Sequence, residues 1–540
     1  MLSSPSAAPR GGRAFFYETT APKRTPAHGP GWNASCTLSA RPRRAALAKD
    51  DILAYPVLMT SPTSSAVRFL LNGLAPVSVA APPDMTVLQW LRTRRRLTGT
   101  KEGCAEGDCG ACTVVVAQAR DGALEWRPVN ACIMMMGQLH GRLLITVEGL
   151  ADGEALHPVQ SAMVERHASQ CGFCTPGFVM ALFAAFRSRE APQTETIHDS
   201  IAGNLCRCTG YRPIVDAAHD ALSGGAGDAY SALEPQIVAA LEDICAGPDL
   251  ACVTPEGRFL APSTREALHA ALRDDPGARL IGGGTDLALE VTKRHARLPS
   301  LISLGALPHL ARIEVRDHEI VAGAAATYAD LLPALTLIDE SLAILLRRLG
   351  SRQIRSLGAI GGNLANASPI GDTPPALLAL GARVRIDGLN GPREVSLDDF
   401  YVGYRRTVLQ PGDYIESVAI PRPRPGAFFR VDKISRRFDQ DISAVCAAIS
   451  FEREGARILA PRVALGGMAA TPARARRTEE ALAGATFSNE TLAKAKAAMA
   501  EDFAPISDFR ASAGYRLRTA QNLLERWRLL ALGADMEAAE

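Results

Sequence analysis

Eight of the twelve cysteines lie between positions 104 and 208, in spacings that could hold metal. The first four follow Cys-x4-Cys-x2-Cys with one more after nineteen further residues: Cys104, Cys109, Cys112 and Cys132. This is the plant-type spacing for one 2Fe–2S cluster. Gly103, Gly107 and Gly110 would permit the tight loop that such a cluster needs. Zinc sites usually pair two short cysteine arms, so the spacing favours iron–sulfur over zinc.

The other four cysteines of this region form two shorter arms: Cys171, Cys174, Cys206 and Cys208. The first arm is Cys-x2-Cys, and the second, after 31 residues, is Cys-x-Cys. A single intervening residue holds two sulfurs at an awkward angle for a regular zinc tetrahedron. Beside the ferredoxin-type set, these arms predict a second 2Fe–2S cluster. Two clusters close in sequence indicate a path for electrons.

Two glycine-rich segments further along could approach phosphate groups. Residues 279–287 read R-L-I-G-G-G-T-D-L, and residues 356–372 read S-L-G-A-I-G-G-N-L-A-N-A-S-P-I-G-D. A strand followed by glycines lets backbone N–H groups come close to a pyrophosphate. The first segment lacks the G-x-G-x-x-G dinucleotide fingerprint, so alone it would indicate only a tight turn. The second segment strengthens the nucleotide-binding interpretation.

The elements around these residues divide the chain. Strand patterns and one helical pattern between residues 67 and 147 predict a small, mostly β domain around the first cysteines. Residues 150–222 have helical spacing with prolines near three helix starts, which predicts a four-helix bundle around the second set. A Gly- and Ala-rich linker follows at residues 223–234. Strands and helices then alternate to about residue 422, where R-P-R-P precedes the last domain.

Three cysteine-containing strings resemble the molybdenum hydroxylase family: E-G-C-A-E-G-D-C-G-A-C-T, Q-C-G-F-C-T-P-G and N-L-C-R-C-T-G-Y-R-P-I. The resemblance implies an α+β multidomain fold. Its parts would be a β-grasp ferredoxin domain, a four-helix 2Fe–2S domain, a vanillyl-alcohol-oxidase-type FAD domain and an α+β flavoprotein C-terminal domain. The expected bounds are 1–64 for a disordered extension, then 65–148, 149–222, a linker at 223–234, 235–422 and 423–540.

The resemblance also implies two 2Fe–2S clusters, ligated by the eight cysteines, and one FAD. The positions that match the family's FAD contacts are Leu280, Ile281, Gly282, Gly283, Gly284, Thr285, Asp286, Leu287, Leu349, Ala359, Ile360, Gly361, Gly362, Asn363, Asp372, Ile415 and Lys433. Leu349 stands where some family members carry an aromatic ring. Lys433 could stabilise negative charge on the flavin, although the residues alone would favour a surface lysine.

Within the family, the order of the iron–sulfur and flavin parts most resembles the small subunit of bacterial xanthine dehydrogenases. The resemblance implies electron transfer from a molybdenum cofactor on a large partner subunit, through both clusters to FAD and NAD, with oxidation of hypoxanthine and xanthine to urate. A separate partner is expected because a fused enzyme would continue for several more domains. An α2β2 assembly is implied, with Gln170 reaching the pterin. No catalytic residue is expected on this chain.

Residues 433–442 resemble the family loop beside the flavin that distinguishes NAD from oxygen as acceptor. Two other functions stay open. One is the small subunit of a molybdenum hydroxylase for an aldehyde or a thioester. The other is a non-enzymatic iron–sulfur carrier, which a flavin region of roughly 300 residues disfavours.

Composition excludes some classes of protein. Lysine plus arginine is 59 and aspartate plus glutamate is 57, a balance that argues against a nucleic-acid binder. The sequence has no uninterrupted run of about 18 apolar residues, the length that would indicate a membrane-spanning helix. The basic first 58 residues lack the apolar core of a secretion signal. Since the cysteines cluster in one region, we expect metal ligation in a reducing, cytoplasmic setting.

Overall fold

The computed structural model describes residues 63–224 and 227–533. The predicted extension at residues 1–64 therefore lies outside the described residues except at its end, where Thr63–Ser64 form a strand parallel to Asp249–Thr254. Residues 225–226 of the predicted linker also lie outside them. The α+β multidomain fold is confirmed.

The first cysteine set belongs to a five-stranded sheet. Its strand order is Ala75–Val79, Val67–Leu71, Leu143–Ile145, Thr113–Arg120, Ala123–Asn130. Its helical elements are Val87–Gln89, the π-helical Trp90–Arg94 and the 3-10 turns Met136–Leu139 and Val147–Gly149. The side chains of Thr113–Arg120 alternate between two cores. Val114 packs in a core with Phe259 of the flavin region, and Val115 packs in a core with Phe178 of the helical bundle. The sheet thus lies between its two neighbouring domains.

The predicted bundle has four helices: Pro158–Glu165, Thr175–Arg187, Thr194–Ile201 and Arg212–Ser223. Three have proline in the first turn, where its missing N–H costs little. A further helix, Ala229–Cys245, begins inside the predicted linker. The Asp228 side chain caps it by accepting from the Ser231 N–H at 3.0 Å, and Tyr230 is buried. The linker is therefore shorter than residues 223–234, because capping and burial start the helix early.

The flavin region contains two five-stranded sheets and a two-stranded ribbon. The first sheet has the order Thr63–Ser64, Asp249–Thr254, Gly257–Ala261, Ser300–Ser303, Arg279–Ile281. The second has the order Ile313–Val315, Glu319–Gly323, Asp413–Pro421, Arg383–Gly388, Arg393–Ser396, and the ribbon pairs Tyr401–Gly403 with Arg406–Thr407. The helices are Arg265–Asp274, Ala288–Thr292, Pro308–Ala311, Tyr328–Thr336, Glu340–Arg347, Arg352–Arg355, Ile360–Ala365, Thr373–Leu380 and Leu397–Phe400.

The last region pairs four strands with three helices. The strand order is Phe428–Ile434, Val445–Glu454, Arg457–Gly466, Ala473–Arg474. The helices are Arg476–Leu482, Asn489–Asp502 and Ala513–Ala531. Trp527 is fully buried and donates to Asp432 Oδ2 at 2.6 Å, which ties the final helix to the first strand. Among the described helices, none combines the length and apolarity that a bilayer crossing needs.

Candidate functional site

The four cysteines of the first set meet in pairs. Cys112 Sγ and Cys132 Sγ are 3.3 Å apart, and the Cys104 N–H donates to Cys109 Sγ at 3.3 Å. Within residues 63–224 and 227–533, no three His, Cys, Asp or Glu side chains are arranged to hold one metal ion. Cys132 also contacts Cys104, so the two pairs adjoin, as they would around a two-iron cluster that four thiolates share.

The loop that carries three of these cysteines aims donors at sulfur. Backbone N–H groups of Glu106, Asp108 and Cys109 donate to Cys104 Sγ at 3.3–3.4 Å. The pKa of Cys104 is held far below its usual range, first by the thiols of Cys109 and Cys132 and then by backbone N–H groups. The inward N–H groups favour a thiolate at Cys104, the form that binds metal, whereas the contacts with Cys104 raise the pKa of Cys109 and of Cys132.

Glycine is needed in this loop for space and for backbone conformation. A Cβ on Gly103 would lie 2.7 Å from Cys109 Sγ. Gly107 and Gly110 have φ of +80° and +68°, values that other residues rarely adopt. Sulfur donors, inward N–H groups and these glycines fit a 2Fe–2S cluster.

The second set lies ahead of the second and fourth helices of the bundle. Cys206 Sγ accepts from the Thr209 hydroxyl at 3.1 Å and from the N–H groups of Thr209 and Cys208 at 3.4 Å. Although partial burial acts in the opposite direction, these bonds lower the pKa of Cys206. Burial raises the pKa of Cys174 to about 12. Cys171 and Cys208 are exposed, so this site reaches the surface.

The two cysteine sets contact each other through backbone groups. The Leu205 N–H donates to the Cys109 carbonyl at 3.0 Å. A Cβ on Gly177 would come within 2.2 Å of the Gly110 carbonyl oxygen. One hydrogen bond and one residue, Leu205, therefore separate Cys109 from Cys206, and this contact was not predicted.

Both glycine-rich segments line one cavity of about 690 Å³, within the roughly 300–1,000 Å³ range of small-molecule sites. The predicted FAD contacts in its wall are Leu280, Ile281, Gly282, Gly283, Gly284, Thr285, Asp286, Leu287, Leu349, Ala359, Gly362, Asn363, Asp372 and Lys433. A Cβ on Gly283 would lie 1.8 Å from the Leu357 carbonyl oxygen, so only glycine lets the two segments meet.

Three predicted contacts lie behind the cavity wall. Ile360 and Ile415 are 1% and 4% exposed and pack in the apolar core of the flavin region. Gly361 faces Ala324, because a Cβ there would lie 2.5 Å from Ala324 Cβ. In all three cases the residue supports the wall rather than lining the cavity.

Lys433 is buried, contrary to the surface lysine that the residues alone favoured. Only 5% of it is exposed. Its Nζ donates to Asp372 Oδ2 at 2.7 Å and to the Arg348 carbonyl at 2.9 Å. The Ser443 hydroxyl donates to Asp372 Oδ1. Both members of this ion pair line the cavity, so the ammonium group of Lys433 lies in the wall together with its counter-charge.

Several cavity residues were missed by sequence reasoning. Glu106, Gly107 and Asp108 belong to the ferredoxin-type loop but line the cavity, where burial raises the pKa of Asp108. Tyr328 is buried in the wall beside Thr373, its hydroxyl at 2.9 Å from Thr373 Oγ1. No local pattern marks these residues, because only tertiary packing brings them to the cavity. Residues 440–442, from the loop whose family resemblance was noted, also line it.

Comparison with known proteins supports this arrangement. Family models match residues 70–137 as a 2Fe-2S iron-sulfur cluster binding domain and residues 146–219 as a [2Fe-2S] binding domain. Residues 255–423 match the FAD binding domain in molybdopterin dehydrogenase, and residues 430–530 match the CO dehydrogenase flavoprotein C-terminal domain.

Single relatives match most of this chain. The chain is 32% identical to xanthine dehydrogenase of Drosophila pseudoobscura pseudoobscura over 77% of its own length and 35% of the relative's. It is 32% identical to xanthine dehydrogenase of Emericella nidulans over 82% and 37%, respectively. The chain thus spans only about a third of the length of these relatives. A solved carbon monoxide dehydrogenase chain from Hydrogenophaga pseudoflava is 28% identical, covering 50% of this chain and 96% of that chain, with a TM-score of 0.48.

The matched domains and the fold define an iron–sulfur flavoprotein, with two 2Fe–2S domains and an FAD-binding domain. The chain belongs to the molybdenum hydroxylase family of oxidoreductases, as the cysteine motifs predicted.

Proposed function

We propose that this chain is the electron-transfer part of a xanthine dehydrogenase, in which electrons from a molybdenum cofactor on a partner subunit reach FAD and NAD. The observation that carries the proposal is that three candidate cofactor sites adjoin. Asp108 lines the flavin cavity, and the next residue, Cys109, accepts a hydrogen bond from Leu205, beside Cys206. When bound, two clusters and FAD would supply one-electron carriers and a hydride donor to NAD.

The spacing and the geometry of the cysteines support two sets of ligands. We assign Cys104, Cys109, Cys112 and Cys132 to one 2Fe–2S cluster, and Cys171, Cys174, Cys206 and Cys208 to the other. The inward N–H groups and paired sulfurs of the first set support its assignment. The N–H and hydroxyl groups that donate to Cys206 Sγ support the second, because such donors stabilise a thiolate, the form that binds iron.

We assign the cavity between the glycine-rich segments to FAD. Its glycines would let the pyrophosphate approach the backbone. Lys433, held by Asp372, would stabilise negative charge on the flavin. The chain itself would bind and orient the cofactor and balance its charge. We assign the chain no catalytic acid or base.

The partner would dock at the exposed second cysteine set. Cys171 and Cys208 are exposed, and the Phe173 side chain between the first two cysteines is 47% exposed. A molybdopterin-binding large subunit in an α2β2 assembly would cover this face, with Gln170 nearest the pterin. NAD would reach the flavin past residues 440–442, which line the cavity. The assembly of both subunits would be cytoplasmic and would bind neither nucleic acid nor a membrane.

Xanthine is favoured as the substrate of the assembly because the relatives reported above are named xanthine dehydrogenases. The small subunit of another molybdenum hydroxylase, acting on an aldehyde or a thioester, is the second candidate. The match of the last domain to a CO dehydrogenase flavoprotein model leaves the substrate open, because that model is not specific to xanthine. A carrier without flavin is disfavoured by the 690 Å³ cavity.

The first test is the cofactor content of the purified chain together with any subunit that co-purifies. We expect about four irons, four acid-labile sulfides and one FAD per chain, with a molybdenum-bearing partner. The complex should then reduce NAD with xanthine faster than with aldehydes. Zinc in place of iron, or absence of FAD, would overturn the electron-transfer proposal; preference for an aldehyde would overturn only the substrate.

A further inference from the structure

A buried polar cluster lies where three domains meet, and its members are Thr113, Asn204 and Gln353. Their exposed fractions are 1%, 2% and 0%. Thr113 directly follows Cys112, and Asn204 comes two residues before Cys206. Gln353 lies on the short helix Arg352–Arg355, just before the second glycine-rich segment. Each member is thus adjacent in sequence to a different candidate cofactor site.

The hydrogen bonds of this cluster use every available hydrogen. Gln353 Nε2 donates to Asn204 Oδ1 at 2.9 Å and to Thr113 Oγ1 at 3.1 Å. Asn204 Nδ2 donates to Thr113 Oγ1 at 3.2 Å and to the Gly110 carbonyl at 3.0 Å. The Thr113 hydroxyl donates to the same carbonyl at 2.7 Å. Each amide gives both hydrogens, and the hydroxyl accepts twice and donates once, which is all that it can do. Gln353 Oε1 is buried without a hydrogen-bond partner, so Gln353 joins the cluster through its Nε2 alone.

Two glycines beside this cluster have no room for a side chain. A Cβ on Gly203 would lie 2.0 Å from Gln353 Oε1, and a Cβ on Gly110 would lie 2.2 Å from the Gly203 carbonyl oxygen. The loops of the two cysteine sets therefore touch as bare backbone, with Gln353 pressed against the contact. The close backbone contact and the hydrogen bonds that Gln353 Nε2 donates together restrict how the two loops can lie against each other.

Ion pairs anchor the helix of Gln353 to the bundle. Arg352 Nη1 lies 2.5 Å from Glu190 Oε1, and Arg352 Nε lies 2.8 Å from Asp199 Oδ2. Arg355 Nη2 lies 2.6 Å from Asp199 Oδ1. The flavin region is therefore bound to the bundle by ion pairs on both sides of Gln353. These ion pairs keep the Gln353 amide within hydrogen-bonding distance of Asn204.

We propose that Gln353 is a positioning residue of the flavin region that holds the two cluster-binding loops at their contact distance, and so sets the rate of electron transfer between the clusters. The inference rests on the proposed function. Gln353 touches neither a cysteine sulfur nor the flavin cavity, so it acts through Asn204 and Thr113. Its loss should leave cofactor content intact and slow electron movement.

The test compares Gln353→Met with Gln410→Met in the full chain loaded with iron, sulfide and FAD. Methionine has nearly the length of glutamine but donates no hydrogen bond, and Gln410 is exposed. A photosensitiser that gives up one electron would reduce one cluster. The absorbance of the reduced cluster would then decay as the electron moves on to the flavin. We expect Gln353→Met to slow this step severalfold, because the rate of electron tunnelling falls as the distance between the clusters grows.

Low-temperature electron paramagnetic resonance of the fully reduced chain gives a second readout. The magnetic interaction between the two clusters should weaken in Gln353→Met and stay unchanged in Gln410→Met, with equal iron in both. Unchanged rate and unchanged interaction in Gln353→Met would overturn the inference. If Gln353→Met does not fold, Thr113→Val decides in the same way, because it removes the shared hydroxyl.

The outcome separates this inference from the proposed function. A wild-type chain without iron or FAD would refute the proposed function. A wild-type chain with full cofactors and a Gln353→Met chain that transfers electrons normally would refute only the role of Gln353. In a double variant with Thr113→Val, the two rate losses should add less than fully, because both changes break one network.

Discussion

Lys433 Nζ and Asp372 Oδ2 lie 2.7 Å apart in the wall of the flavin cavity, although 61 positions separate them in sequence. The pair joins the second glycine-rich segment to the first strand of the last domain. The Ser443 hydroxyl and the Arg348 carbonyl complete it. Because both charges are buried, each depends on the other, and the flavin cavity depends on both.

Replacing Lys433 by methionine should release FAD and destabilise the chain. The substitution leaves the Asp372 carboxylate buried without its partner, which typically costs about 3–5 kcal/mol. The FAD-to-protein ratio and the melting temperature measure the two effects. Lys494→Met is the matched control, since Lys494 is 67% exposed and pairs with Glu490 on a surface helix. Full FAD content in Lys433→Met would mean that this lysine does not serve the cofactor.

Replacing Cys132 by serine should remove one cluster and keep the other. Cys132 is buried against Cys112, and no other described cysteine outside the first set lies beside it. Iron should fall from about four to about two per chain, with one of two paramagnetic resonance signals lost. Cys245→Ser, at an exposed cysteine of the helix Ala229–Cys245, should retain all the iron. A variant at Cys132 that keeps four irons would refute its ligand assignment.

The cluster-binding loops could be predicted from sequence because their chemistry is local. Three cysteines within nine residues and three glycines constrain one loop, and the structure has the inward N–H groups and positive φ values that this pattern requires. Likewise, the spacing of apolar residues and the prolines in residues 150–222 were sufficient to predict four helices. Helix starts and the apolar face of a helix are both determined by short segments of sequence.

What sequence reasoning missed depends on contacts between distant segments. Asp108 was noted only as part of a cysteine motif, yet it lines the flavin cavity. Gln353 has no motif at all, and its burial arises from three domains. Ile415 was carried over from family resemblance, but its side chain packs in the core, since alternate residues of the strand Asp413–Pro421 face opposite sides. Which face of a strand meets a cavity is set by tertiary packing.

Replacing Gly362 by alanine should weaken FAD binding without harming the fold. Gly362 lines the cavity, has no positive φ, and a Cβ there would meet no protein atom within 4 Å. Alanine inside the helix Ile360–Ala365 should stabilise the cofactor-free chain by up to about 1 kcal/mol, while its methyl group takes space that the cofactor needs.

The measurement for Gly362→Ala is FAD affinity by titration of the cofactor-free chain, beside its melting temperature. Gly514→Ala is the control, because Gly514 lies in the helix Ala513–Ala531 with open space around it and far from the cavity lining. Both variants should melt no lower than the wild type, and only Gly362→Ala should lose affinity, by about tenfold or more. Equal affinity in the two variants would place the cofactor away from this segment.

The last domain should lose stability in acid through Asp508. Partial burial alone would raise the pKa of Asp508, but hydrogen bonds from Arg516 and from the N–H groups of Ala511 and Arg510 outweigh it and hold that pKa well below its usual range. Arg516 Nη2 donates to Asp508 Oδ1 at 2.7 Å, and Arg516 is 1% exposed. A carboxyl with a depressed folded-state pKa stabilises the fold above its unfolded pKa, and this stabilisation is lost as pH falls toward the folded value.

The prediction compares Asp508→Asn with the wild type across pH. The wild type should melt at a temperature higher than that of Asp508→Asn by a constant difference from pH 7 down to about pH 5, and this difference should shrink below about pH 4 as the carboxylate is protonated. Asp317→Asn, at an exposed aspartate on the turn between two strands, should show no such difference at any pH. If the difference in melting temperature between the wild type and Asp508→Asn stays constant down to pH 3, the Asp508 carboxylate is not stabilised by Arg516. In that case the buried arginine would hold the final helix through the carbonyls of Ala444 and Gly467 alone.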